Sequence, residues 1–302
     1  MTNTIAVSSY SLRQLLGPLS SVRREADGSK SSHVWSDNPQ TMTLLELPAQ
    51  IRERLGLDAI EICQFHLPEH TPEYLDQLKG ALADAGVRLI AMPIDVGNIS
   101  DPNPDYREED LQEIESWMRI AAELGAKLVR VNAGYVQAAT EPHSLDVTIA
   151  SYKRLAQTAA SLGLQVLIEN HGGITADPEV IVQLVEGVGR DQLHTLVDIG
   201  NFEPYMSAVE YAIIEGKEPA DVDLTPLYTA IARVAPFAGM VHAKTHEFDA
   251  DGNPLYLDVV RALSIVRDTG YTGPLSVEYE GTNGDPWENT RRTLALVQEV
   301  FA

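Results

Sequence analysis

The chain has 302 residues, 44% of them hydrophobic, and a formal net charge of −22. Charge of that sign and size repels phosphate backbones and anionic lipid, so nucleic-acid and membrane-surface binding are disfavoured from the start. A single cysteine, Cys63, excludes an internal disulfide framework and fits a cytoplasmic protein; the N-terminus lacks a secretory signal, and no run nears the roughly 18 apolar residues of a membrane span.

The first apolar run, TIAVSSY (4–10), is followed by a polar stretch at about 18–43 and a helical pattern at 44–55. That stretch is expected to be either a lid carrying Trp35 or a disordered surface insertion. Next come AIEICQF (59–65) with a helix at 73–86, and RLIAMPID (88–95) with a helix at 108–125 that Gly125 caps. KLVRVNAG (127–134) precedes a helix at 144–163, and QVLIENH (165–171) one at 178–188. LHTLVDIGN (193–201) leads into a second long connection, 202–224, containing Tyr205, Met206 and Tyr211, then a helix at 225–235. GMVHAKTH (239–246) and PLSVEYE (274–280) complete the runs, and a helix spans 288–301. Eight such runs alternating with helices predict an α/β fold, a single eight-stranded parallel (β/α)8 barrel over 1–302. An open doubly wound sheet is the alternative, but no G-x-G-x-x-G follows the first strand.

In a barrel, alternate residues face inward and chemistry gathers at the strands' C-terminal ends. On that parity the fifth strand ends with Glu169 and His171, and the sixth with Asp198. The seventh presents His242, Lys244 and His246; the eighth presents Ser276, Glu278 and Glu280. Converging carboxylates resist ionisation unless a cation neutralises them. Oxygen donors with one imidazole suit Mn²⁺ first, and also Co²⁺, Mg²⁺ or Zn²⁺. Singly, each residue has a plainer reading: a salt bridge, a core histidine, or a turn begun by Asp198 before Gly200.

The other strand ends supply groups suited to a polyol: Arg130 and Asn132 on the fourth, Glu61 and His66 about the second, Asp95 and Asn98 after the third. Arg130 is a candidate to orient a substrate carbonyl, carboxylate or phosphate, or else a buried partner for Glu61 or Glu169.

The segments IENHGG, VDIGN, VHAK and GYTGPLSVEYEG resemble the xylose isomerase-like TIM-barrel superfamily, in its sugar phosphate isomerase/epimerase branch. The resemblance implies one divalent metal held by Glu169, Asp198, His242 and Glu278, with Glu278 preferred to Glu280. It also implies that Glu169 and Glu278 act as acid and base on opposite faces of a carbohydrate, and that Lys244 binds substrate or serves as an electrophile. DNA-repair relatives carry Asp-x-x-His after the sixth strand, whereas this chain has Asp198 followed by Asn201. An amide is a poor zinc ligand, so DNA repair is disfavoured and Asn201 becomes a substrate-binding candidate.

The expected chemistry is proton transfer by a carboxylate through a metal-stabilised enediolate, giving isomerisation or epimerisation of a sugar or sugar phosphate. The alternative is a dehydratase or lyase acting on an inosose or keto-sugar, with His66, His171 or His246 as the leaving-group acid; His66 and His171 are also substrate-binding candidates. A homo-oligomer is compatible with the sequence.

Overall fold

All eight apolar runs become strands. In this computed structural model, which describes residues 3–25, 27–134 and 145–301, the barrel strands are β1 (Ile5–Ser8), β4 (Ala59–Glu61), β5 (Arg88–Ile94), β6 (Leu128–Val131), β7 (Gln165–Glu169), β8 (Leu193–Asp198), β9 (Ala238–Thr245) and β10 (Leu275–Tyr279). They close in the order β1-β10-β9-β8-β7-β6-β5-β4, every neighbour parallel. The (β/α)8 expectation therefore holds, and the open sheet does not form.

Side-chain parity explains the interior. One inward set, including Ala6, Ala59, Leu167, Leu196 and Met240, is buried as a small apolar cluster of its own inside the barrel. Two residues further along the same strands stand Ser8, Glu61, Glu169, Asp198 and His242, all buried. A step of two keeps a side chain on the same face while moving it towards the strand's C-terminal end. An apolar floor thus underlies a charged layer. Outward residues such as Val7, Val129, Ile168, Val197, Val241 and Val277 join the larger core shared with the helices.

The helices are α1 (Leu47–Leu55), α2 (Pro72–Ala85), α3 (Pro104–Glu123), α4 (Leu145–Leu162), α5 (Pro178–Val188), α6 (Tyr211–Ile214), α7 (Thr225–Val234), α8 (Val259–Arg267) and α9 (Pro286–Phe301). Helix α3 starts four residues before its apolar pattern, because Asn103 caps it and Pro104 fits its first turn. Residue 144, expected to open α4, lies outside the described residues. Helix α8 was not among the helices read from periodicity; it is short, and Asp258 caps it by accepting from the Arg261 amide.

The polar stretch at 18–43 is neither disordered nor a plain loop. It forms an antiparallel hairpin, β2 (Leu19–Arg24) and β3 (Lys30–Ser36), with Gly28 in the left-handed region at φ 86°. Asp27-Gly28 between two alternating segments is a hairpin signal, masked by the serine-rich strands. The hairpin is tied to α3 by charge. Arg24 Nη2 lies 2.9 Å from Glu109 and 2.8 Å from Asp110, and Lys30 Nζ lies 3.0 Å from Asp110 and 2.6 Å from Glu113. Trp35 is 41% exposed and sits edge-on to Phe65 with ring centres 5.6 Å apart.

Asp110 is buried and also accepts from the Asn98 amide at 2.9 Å. Asp110→Ala is expected to cost about 1–2 kcal/mol, since Arg24 keeps Glu109 and Lys30 keeps Glu113 while the Asn98 amide loses its acceptor. Limited trypsinolysis checks this, with cleavage at Arg23, Arg24 or Lys30 appearing early in the variant and late in the parent.

The second long connection, 202–224, is partly helical as well. A π-helical turn, Met206–Glu210, runs into α6.

Candidate metal centre

Glu169 and Asp198 end β7 and β8, His242 lies within β9, and Glu278 is the last residue but one of β10. The parallel register sets Asp198 beside His242 and Glu278 beside Lys244. Around the imidazole, His242 Nδ1 lies 3.0 Å from Glu278 Oε2, 3.4 Å from Glu169 Oε1 and 3.7 Å from Asp198 Oδ2. None of the four residues is more than 5% exposed.

The other imidazole nitrogen is taken. His242 Nε2 sits 3.0 Å from Glu61 Oε1, and Glu61 is fully buried. A proton on Nε2 bonded to Glu61 leaves the Nδ1 lone pair facing three carboxylates. Glu169 Oε2, Asp198 Oδ2 and His242 Nδ1 are buried and met by ionic contacts: Oδ2 lies 3.3 Å from Lys244 Nζ, and Oε2 lies 2.9 Å from Arg130 Nε. Burial opposes charging of His242, yet Glu278 and Glu61 outweigh it and raise its basicity well above that of an ordinary imidazole. A field that holds a proton so strongly suits a cation, and the donor set of carboxylate oxygens with one imidazole fits a divalent ion.

The acids differ in their surroundings. Burial disfavours ionisation of Glu169, but the Arg130 charge overrides it and holds the carboxyl well below the usual range. Arg130 Nε is 2.9 Å from Glu169 Oε2, while its terminal nitrogen pairs with Asp95, which also accepts from Asn132 at 2.9 Å. Arg130 thus lies between Asp95 and Glu169, not against Glu61. Burial pushes Glu278 up to about 7, only partly offset by His242.

Lys244 anchors the neighbouring corner. Its Nζ lies 2.6 Å from Asn201 Oδ1, 2.9 Å from Glu280, 3.3 Å from Asp198 and 3.7 Å from Glu210. The Asn201 amide in turn reaches Glu169 Oε1 at 3.5 Å. Gly200 is required here, since a Cβ would fall 2.8 Å from Lys244 Cδ. Asn170 is structural: its side chain donates to the Asp198 carbonyl at 2.8 Å and accepts from the Asp198 amide at 2.9 Å, locking β7 to β8.

Of the expected site residues, the structure joins Glu169, Asp198, His242, Glu278, Lys244, Asn201 and Arg130 into one buried network. His66 stands apart from that network, with Nδ1 2.7 Å from Ser9 Oγ. Burial pushes it down to about 3, so it is neutral, and its Nε2 has no partner among the described residues. His171 is exposed, and its backbone amide donates to Thr175 Oγ1. His246, also neutral by burial at about 4, is 3.0 Å from the Tyr205 hydroxyl.

Sequence reasoning grouped Glu61 with substrate-facing groups and passed over Glu210. Glu61 stands two residues after Ala59 on the inward face, which the strand pattern reveals; its contact with His242 spans 181 positions, which no local pattern reveals. A carboxylate behind a metal-binding imidazole fixes its tautomer and strengthens it as a donor. Glu61→Gln is expected to weaken metal binding about tenfold or more, read by competition with a chelator of known affinity.

Residues 50–300 match the family model described as xylose isomerase-like TIM barrel. No curated protein matches the sequence. Among solved structures, 3-keto-D-glucoside 4-epimerase from E. coli is 21% identical, with TM-score 0.64 over 85% of this chain and 94% of that one. A xylose isomerase-like TIM-barrel protein from Mycobacterium smegmatis, in complex with magnesium, is 20% identical, with TM-score 0.65 over 100% and 98%. D-psicose 3-epimerase with D-tagatose from Clostridium cellulolyticum H10 is 15% identical, with TM-score 0.68 over 100% and 99%. At such identities the likeness is one of fold.

Proposed function

Because the chain belongs to the xylose isomerase-like TIM-barrel family, we propose that it is a divalent-metal-dependent sugar isomerase or epimerase. The observation that carries this reading is the convergence of three carboxylates, Glu169, Asp198 and Glu278, on His242 Nδ1. Those four residues would hold the ion, Mn²⁺ in the first instance. When bound, the ion would polarise the sugar carbonyl and offset the crowded negative charge.

The protein's own groups divide the remaining work. Strands β7 and β10 flank the β8–β9 pair, so Glu169 and Glu278 reach the ligand space from two sides. Glu169, kept ionised by Arg130, takes the proton from the carbon next to the carbonyl. Glu278, more reluctant to ionise, returns a proton from the other side. A bound cation lowers the pKa of both, but Arg130 on one and burial on the other preserve the difference. Lys244, bonded to Asn201 and Glu280 and 3.3 Å from Asp198, balances the acids beside the ligand space. Among the described residues no helix is long and apolar enough to cross a membrane, and the charge of −22 disfavours a nucleic-acid substrate.

A second reading, a dehydratase or lyase on an inosose or keto-sugar, draws on the two buried neutral histidines. The Nε2 atoms of His66 and His246 have no partner among the described residues and could serve a departing oxygen. One experiment separates the two. The metal-loaded protein is incubated with a ketose panel in D₂O and followed by NMR and mass spectrometry. Deuterium entry next to the carbonyl without loss of mass supports the isomerase or epimerase; an unsaturated or cleaved product supports the lyase. Absence of both, with the ion bound, sinks the metal-assisted enolisation common to the two.

A further inference from the structure

The proposed function leaves open whether the substrate is phosphorylated, and the charges around the mouth bear on that. Within the barrel strands the cationic side chains are Arg88, Arg130 and Lys244. Arg88 begins β5, at the end away from the charged layer, and pairs with Asp58 at 3.4 Å. Arg130 is shared between Asp95 and Glu169. Lys244 is buried against Asp198, Glu210 and Glu280 and bonded to Asn201.

The loops above the strands add little positive charge. Arg13 donates to the carbonyls of Tyr279, Glu280 and Gly281. Arg24 and Lys30 are committed to the acids of α3, and Lys217 pairs with Glu215. Exposed Arg23, on the hairpin, has no partner among the described residues. Residues 135–144 contain no lysine or arginine. Within the site the carboxylates outnumber the cationic charges even with a divalent ion in place, since Glu61, Asp95, Glu169, Asp198, Glu278 and Glu280 all stand there.

From this balance we infer that the site takes an uncharged sugar and discriminates against phosphorylated and carboxylated ones. This rests on the reading of the centre as a sugar site. A phosphate monoester brings roughly two negative charges into a low-dielectric mouth already in anionic excess. To bind it, Lys244 or Arg130 would have to leave buried carboxylates that would then be unpaired, a loss the new contact must first overcome. A hydroxyl asks for no such exchange: it hydrogen-bonds to a carboxylate or to a neutral histidine without adding charge.

The test is calorimetric binding of matched pairs, each an uncharged ketohexose and its terminal phosphate monoester, to the manganese-loaded protein. The expected result is that the ester binds about a hundredfold more weakly in each pair. Glu280→Gln, which removes the acid 2.9 Å from Lys244, is expected to narrow that gap about fivefold or more. Arg23→Ala is expected to leave it unchanged. An ester that binds as tightly as its parent sugar overturns the inference. So does a gap that Glu280→Gln does not move, ester binding that depends on Arg23, or failure of every uncharged sugar to bind. Uncharged sugars that bind tightly without exchanging deuterium would refute the isomerase reading while leaving this inference standing.

Discussion

Glu169→Gln and Glu278→Gln are each expected to lower turnover about a thousandfold, with Glu278→Gln leaving the fold and part of the metal affinity intact. The magnitude is that of losing a general acid or base at its site of proton transfer. The two variants should nevertheless differ. Burial disfavours the charged form of Glu278, so an amide of similar shape replaces it with little strain. Glu169 is an ionised partner of buried Arg130; its loss leaves the guanidinium with Asp95 alone, and thermal stability falls along with activity. Steady-state kinetics on the best sugar of the panel, with metal content measured in parallel, checks both. Full activity in the two variants would remove them from the proton-transfer step.

Stripping the metal with EDTA is the other large effect. Activity is expected to fall to background, and Mn²⁺ or Co²⁺ to restore it. A second readout does not depend on turnover. Any ligand that binds only the folded state stabilises it, by about 2.7 kcal/mol at a hundred times its dissociation constant. Here the gain also relieves crowded acids, so the melting temperature should climb steeply on titration with Mn²⁺. Calorimetry with verified metal content measures it. Unchanged activity and melting temperature after proven removal would defeat metal dependence.

What could be read in advance was set by the range of the signal. Strand parity is local: Ala59 and Glu61, or Leu196 and Asp198, announce their shared face from two positions away. That suffices for the barrel and for an acid-rich mouth on its last four strands. Asn170 and Gly200 could be seen as unusual but not explained, because their reasons are the Asp198 backbone and the Lys244 side chain. The pairing of Arg130 with Asp95 depends on which neighbouring strand end lies closer, which spacing does not encode. The hairpin was missed for another reason. Its strands rest on α3 through charges and not through apolar side chains, so a search for hydrophobic alternation passed over them, although Asp27-Gly28 marked the turn. The π-helical turn escaped because it is too short to establish a period; α8 is as long as α1 and was passed over although Val259, Ala262, Leu263 and Val266 carry a helical spacing.

The apolar cluster beneath the charged layer has a further effect. With Ala6, Ala59, Leu167, Leu196 and Met240 filling the centre, the vessel has a sealed bottom, and reactant and product must use the same doorway. Traffic through that doorway is governed by the rim, where the β2–β3 hairpin and the 202–224 segment stand. Alterations there can retune which molecules enter, and how fast they leave, without disturbing the foundation on which the reactive groups are mounted.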